Sequence, residues 1–162
     1  MSGQEASQET RSFDWALWWQ WVLVSTLGWL LGWTLVHQVG IGAVIGIAQW
    51  LVLRRLVPQA GWWILASTVG WAMGAAVVTI VFPPRPGVLA GALLGAMIGL
   101  AQWFVLRRWV RQAGWWVVIS TLGWAIGLIG VLGASLAGAV VGAVTGIALE
   151  LLLRHPRPNL EM

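Results

Sequence analysis

Long apolar runs alternate with short polar or glycine- and proline-rich breaks along nearly the whole chain, a rhythm that predicts six helices. The runs cover residues 15–36, 40–53, 62–82, 88–106, 115–132 and 134–153. Crossing a bilayer core about 30 Å thick takes roughly 20 apolar residues at ~1.5 Å each. The run at 40–53 is short for that task, so it is expected to sit with little tilt, thin the bilayer or enter it only part-way. "VHQVG" after the first run, "PPRPG" after the third and the glycines at 130 and 133 punctuate the pattern as turn residues do. Such short connections predict antiparallel neighbours.

The pattern repeats. "STLGWLLG" at 25–32, "STVGWAMG" at 67–74 and "STLGWAIG" at 120–127 mark the odd-numbered runs, while "GAVIGIAQW", "GALLGAMIGLAQW" and "GAVVGAVTGIALE" mark the even ones. The unit is a helical hairpin present three times, over 15–55, 62–108 and 115–154. The expected fold is an all-α polytopic membrane protein of six transmembrane helices, three glycine-rich hairpins related by pseudo-threefold symmetry. It forms a single transmembrane domain, 15–154, between a disordered cytoplasmic tail, 1–14, and a second cytoplasmic tail, 155–162. Read this way, the third hairpin carries Leu149 and Glu150 where the others carry Gln49 with Trp50 and Gln102 with Trp103.

Composition agrees: 59% of residues are hydrophobic and 9% charged, against about 25% charged in soluble domains. The absence of cysteine excludes disulfides, thiolate metal sites and cysteine nucleophiles. A net charge of +4 would suit nucleic acid, but every basic residue is arginine and most stand in the breaks. In the six-span reading Arg11, Arg54, Arg55, Arg107, Arg108, Arg111, Arg154 and Arg157 share one side and Arg85 alone takes the other. That asymmetry places both termini in the cytoplasm. The partner implied is a bilayer with anionic headgroups at that face, not nucleic acid. The opening "MSGQEASQETRSFD" lacks the basic region of a cleavable signal and is expected to stay on the chain.

The units "GIAQWLVLRR" at 46–55 and "GLAQWFVLRR" at 99–108 resemble those of small bacterial multipass membrane proteins with repeated G-x-A-Q-W-x-x-L-R hairpins. The resemblance spans residues 15–154. It implies a multi-pass protein of the bacterial plasma membrane and carries over no activity.

Each recurring residue type has a physical reading. Helices in lipid associate by close packing, and small residues at every fourth position form a groove for a partner backbone. Gly28 with Gly32, Gly70 with Gly74, and Gly123 with Gly127 form such strips on the odd helices. Gly42 with Gly46, Gly91 with Gly95 and Gly99, and Gly138 with Gly142 and Gly146 form them on the even ones. The alternative is glycine lining a narrow passage or a cofactor cleft. Ser25 and Thr26, Ser67 and Thr68, and Ser120 and Thr121 recur at one depth, and Gln49 and Gln102 lie near it. They are expected to bond across helices, or to form a polar ring that a solute or ion could follow.

Eleven of the 15 tryptophans, namely residues 15, 18, 19, 21, 50, 62, 63, 103, 109, 115 and 116, crowd the arginine-rich edge, where an interfacial belt would place them. Trp29, Trp71 and Trp124 fall near mid-membrane; each either fills space opposite a glycine or forms an aromatic wall for a chlorin, haem, carotenoid or lipid. His37 at the far end of the first helix is a solvated turn residue or an axial ligand. Glu150, the one acid inside a run, stands four residues before Arg154, the spacing of a helical ion pair, and intramembrane acids are also candidate functional groups.

Catalytic signatures are missing: no acid pair, histidine cluster, G-x-S-x-G or phosphate loop occurs. The expectation is a non-enzymatic integral membrane accessory or scaffold subunit packed through glycine zippers, within a larger membrane complex. The alternatives are a small-solute or ion channel or transporter, and a pigment- or haem-binding subunit. No catalytic or metal residue is assigned and no cofactor is named.

Overall fold

A computed structural model of the chain describes residues 12–82 and 87–156, the side chains of 37–39 and 130–134 excepted. Among the described residues every regular element is helical: α1 (Trp15–Leu31), α2 (His37–Leu53), α3 (Trp62–Val81), α4 (Val88–Leu106), α5 (Gly114–Gly127) and α6 (Gly130–Leu153), with a π-helical turn, Gly32–Val36, between the first two. Trp62–Val81, Val88–Leu106 and Ser135–Leu153 are long and apolar enough to cross a membrane, with mean hydropathies of 1.9, 1.9 and 2.1.

Two breaks fall elsewhere than the pattern predicts. The chain reverses at Val36 (φ −119°, ψ 1°), so "VHQVG" is no loop and α2 has 17 residues, starting at His37. The later break is made by Leu128 and the extended Ile129, and Gly130 opens α6.

α1 begins at a real cap. Asp14 Oδ1 accepts from the Leu17 N–H at 3.0 Å, and the Asp14 N–H donates to Glu150 Oε1 at 3.1 Å. Phe13 and Asp14 are therefore tied to α1 and α6, while residues 1–11 and 157–162 of the expected tails lie outside the described residues.

Each helix packs on two neighbours, in the order α1 to α6 and back to α1, giving a closed antiparallel ring. Glycine is what lets the ring close. A Cβ added to Gly28 or Gly70 would lie 2.9 or 2.8 Å from the Cα of Ile45 or Ile98, and one added to Gly46, Gly99 or Gly142 would lie 3.1 Å from the Cα of Ile64, Val117 or Val22. Backbones touch there. A Cβ on Gly32, Gly74 or Gly127 would lie 3.1, 3.3 or 3.4 Å from the Cα of Ile41, Leu94 or Ala137, Gly91 meets the Trp124 carbonyl, and Gly146 faces the rings of Trp18 and Trp21.

The glycine contacts also correct the alignment of the third hairpin. Gly42 packs on Ser67 and Trp71, Gly95 on Ser120 and Trp124, and Gly138 on Ser25 and Trp29. Gly138, not Gly142, thus takes the place of Gly42 and Gly95, one turn away from the alignment that the sequence suggests. Leu149 joins Leu53 and Leu106 as an almost fully buried leucine, and Thr145 stands at the level of the two glutamines. The ambiguity is physical: a glycine strip with a four-residue period looks the same after sliding one turn.

Candidate functional site

The ring encloses two aromatic layers. Toward the arginine-rich end, Trp21, Trp63 and Trp116 meet edge to face with centroids 6.0, 6.1 and 5.4 Å apart. Nearer the opposite end, Trp29, Trp71 and Trp124 form a second triad at 5.9, 5.5 and 5.5 Å. Both lie within the 4.5–7 Å range of favourable ring pairs, each worth about 0.5–1.5 kcal/mol beyond burial.

Three of the tryptophans expected in the interfacial belt therefore belong to the interior: Trp21, Trp63 and Trp116 are 0 to 1% exposed. The reason lies in their spacing. Each stands four residues before the inward serine and eight before the second-layer tryptophan, on one helical face. Trp15, Trp19, Trp62 and Trp115 are exposed, and the Arg54 and Arg107 guanidinium groups lie 5.2 and 5.0 Å from the Trp50 and Trp103 ring centroids, as cation–π pairs do.

A polar layer separates the triads. Trp63 Nε1–H donates to Gln49 Oε1 at 2.9 Å, and Gln49 Nε2 donates to Ser25 Oγ at 3.0 Å. Trp116, Gln102 and Ser67 repeat the chain at 2.9 and 2.9 Å. Each glutamine thereby joins three helices and satisfies an indole N–H that burial would otherwise leave unpaired. In the third position Trp21 Nε1–H donates instead to Thr145 Oγ1 at 3.0 Å, whose hydroxyl donates to the Val141 carbonyl at 2.6 Å. Ser120, with no glutamine to receive, donates to the Gly95 carbonyl at 3.0 Å. An internal cavity of about 20 Å³ is lined by this layer and by rings of both triads.

Not every predicted polar residue joins the layer. Thr26, Thr68 and Thr121 donate to carbonyls one turn back in their own helices, Val22, Ile64 and Val117, each at 2.7 Å. Glu150 is buried away from the layer, between α6 and the start of α1; its Oε1 accepts from Arg154 Nη2 at 2.7 Å and Nε at 2.9 Å besides the Asp14 N–H. Its Oε2 is the one buried side-chain polar atom without a partner among the described residues. The mid-helix tryptophans press on the glycines of the preceding helix in the ring: Trp71 on Gly42, Trp124 on Gly95 and Trp29 on Gly138. The His37 side chain lies outside what is described.

Thr145 is the member of the layer that its residue type hides. Its signal was positional: it follows Gly142 by three residues, as Gln49 follows Gly46 and Gln102 follows Gly99.

Among the described residues no group of three or more histidine, cysteine or acidic side chains is placed to hold a metal. No family model matches the chain, and neither a curated protein nor a solved structure is significantly similar to it.

Proposed function

We propose that the chain is a six-span bacterial plasma-membrane protein of three pseudo-threefold-related hairpins, with both termini cytoplasmic, acting as a non-enzymatic scaffold or accessory subunit of a larger membrane assembly. The observation that carries this reading is the filled interior: two tryptophan triads bracket a cavity of about 20 Å³. That is room for about one water, against roughly 300–1,000 Å³ for small-molecule and cofactor sites. In this reading the outer helix faces are the working surface. Leu23, Leu27, Leu35, Ile80, Leu89 and Leu100 are among the large apolar side chains exposed there, in keeping with contact to lipid or to partner helices.

Support for the orientation comes from charge. The α2–α3 and α4–α5 loops and the end of α6 carry Arg54, Arg55, Arg107, Arg108, Arg111 and Arg154 at one end of the ring.

The test is reconstitution together with recovery of native partners. The purified protein in liposomes is expected to pass protons, ions and small solutes no faster than empty vesicles, to absorb nothing above 350 nm, and to bring down stoichiometric membrane proteins after mild solubilisation. Flux that responds to substitution of Trp29, Trp71 or Trp124 would replace the scaffold by a channel. A bound chromophore would replace it by a pigment-binding subunit. Reporter fusions at 36–40, 83–87 and 131–134 should all face outward, and a cytoplasmic signal from any of them would break the six-span topology.

A further inference from the structure

The three hairpins are not equally tight. A Cβ on Gly28 or Gly70 would lie 2.9 or 2.8 Å from the facing Cα, but one on Gly123 would lie 3.7 Å from the Val141 Cα. The residue opposite differs in the same way: Ala48 and Ala101 face Gly28 and Gly70, whereas Val144 faces Gly123. The branched side chain acts as a wedge between α5 and α6.

On the arginine-rich side of that wedge a groove of about 520 Å³ opens between the two helices. Trp115 and Ile119 of α5 and Val144, Ile147 and Leu151 of α6 line it, and Gln112 and His155 stand at its polar end. The Arg111 N–H donates to the His155 carbonyl at 3.2 Å, which places the Arg111 backbone beside that end. Because α6 runs one turn further than α2 and α4, Leu151 occupies the level held by Arg55 and Arg108 in the other hairpins. The groove thus stays apolar up to Gln112 and His155. Arg154 with Glu150 is the single ion pair among the described residues, so Arg111 keeps its charge for an external anion.

We propose that this groove holds one acyl chain of an anionic phospholipid, its phosphate received at the end formed by Gln112, His155 and Arg111. A gap between adjacent helices suits a single hydrocarbon chain, whereas a packed helix needs interaxial distances of about 8–10 Å. Basic pockets between membrane helices favour anionic headgroups. The proposal rests on the membrane-embedded reading above and not on the scaffold role.

Native mass spectrometry of the full chain in detergent, titrated with phosphatidylglycerol and with phosphatidylcholine, tests it. One phosphatidylglycerol is expected to be retained at about tenfold lower concentration than phosphatidylcholine, which is about 1.4 kcal/mol. Val144→Ala, which restores the alanine of the other hairpins, should let the helices close and cut retention about tenfold. Ile147→Trp, at an exposed lining position, should fill the groove to the same effect should the alanine variant fold poorly, and Arg111→Gln should erase the preference between the two lipids. Equal retention of both lipids by the natural sequence, or retention unchanged in both groove variants, would overturn the proposal. Binding that appears only after removal of residues 157–162 would give the groove to the chain's own tail, and a dimer lost in Val144→Ala would give it to a second copy; either overturns the lipid. A chain recovered in the soluble fraction without detergent defeats the membrane reading as well, whereas a detergent-dependent chain that retains no lipid defeats this inference alone.

Discussion

Trp63 on α3 donates its indole N–H to Gln49 on α2 at 2.9 Å, and the same amide donates onward to Ser25 on α1 at 3.0 Å. One side chain thereby couples three consecutive helices. Gln49→Leu keeps the volume but strands the indole N–H and the serine hydroxyl. An interhelical hydrogen bond in lipid averages ~0.6 kcal/mol, yet a buried group left unpaired costs about 1–3 kcal/mol, so the second effect decides. Thermal unfolding in detergent should show a loss of about 2–3 kcal/mol; a change below ~0.5 kcal/mol would mean that water replaces the amide without cost.

Thr145→Gln should go the other way. Thr145 meets Trp21 at 3.0 Å but leaves Ser120 to the Gly95 carbonyl and borders the 20 Å³ cavity. A glutamine there would reach both groups and fill space, adding about 0.5–1.5 kcal/mol for a net hydrogen bond. A lower melting temperature would show that α6 sits too close to the axis for the longer side chain.

The glycine contacts make a paired prediction. A Cβ on Gly95 would lie 2.5 Å from the Ser120 carbonyl oxygen and 2.8 Å from the Trp124 Cβ, while one on Gly123 meets nothing nearer than 3.6 Å. Gly95→Ala should cost about 1–3 kcal/mol through overpacking. Gly123→Ala should be neutral or gain up to ~1 kcal/mol from helix propensity. Equal destabilisation of the two would remove backbone proximity as the cause.

Glu150 ties the two ends of the chain together through Asp14 and Arg154, with only 5% of its side chain exposed. Glu150→Gln keeps an acceptor for the Asp14 N–H and loses the charge-assisted pair, so a loss of about 1–3 kcal/mol is expected. In a double-mutant cycle Arg154→Gln should add little once Glu150 is changed. Independent, additive losses would show that the pair contributes nothing as a pair.

Much of the inner layer was legible in the chain. Ser25, Ser67, Gln49 and Gln102 recur at matching depth, and their residue types already call for one another in an apolar setting. The side to which Trp21, Trp63 and Trp116 belong was harder to read, because a tryptophan near an arginine satisfies the interfacial pattern as well as the interior one. Only the inward serine four residues on separates the two readings, and helical phase gains meaning once a neighbouring helix fixes which face is inside.

The apolar runs, the four-residue glycine period and the threefold recurrence of S-T-x-G-W determined that this chain is helical, glycine-packed and repetitive, because these are properties of single helices and of counting along them. The tertiary structure decided what depends on how helices meet. It closed six helices into a ring, moved three tryptophans from the rim to the core, and slid α6 by one turn so that Thr145 faces Trp21. It also set Val144 against Gly123, where the other two hairpins set Ala48 against Gly28 and Ala101 against Gly70. A strip of small residues is self-similar under a one-turn shift, so the register can be chosen only by the large side chains that must fit together across the interface.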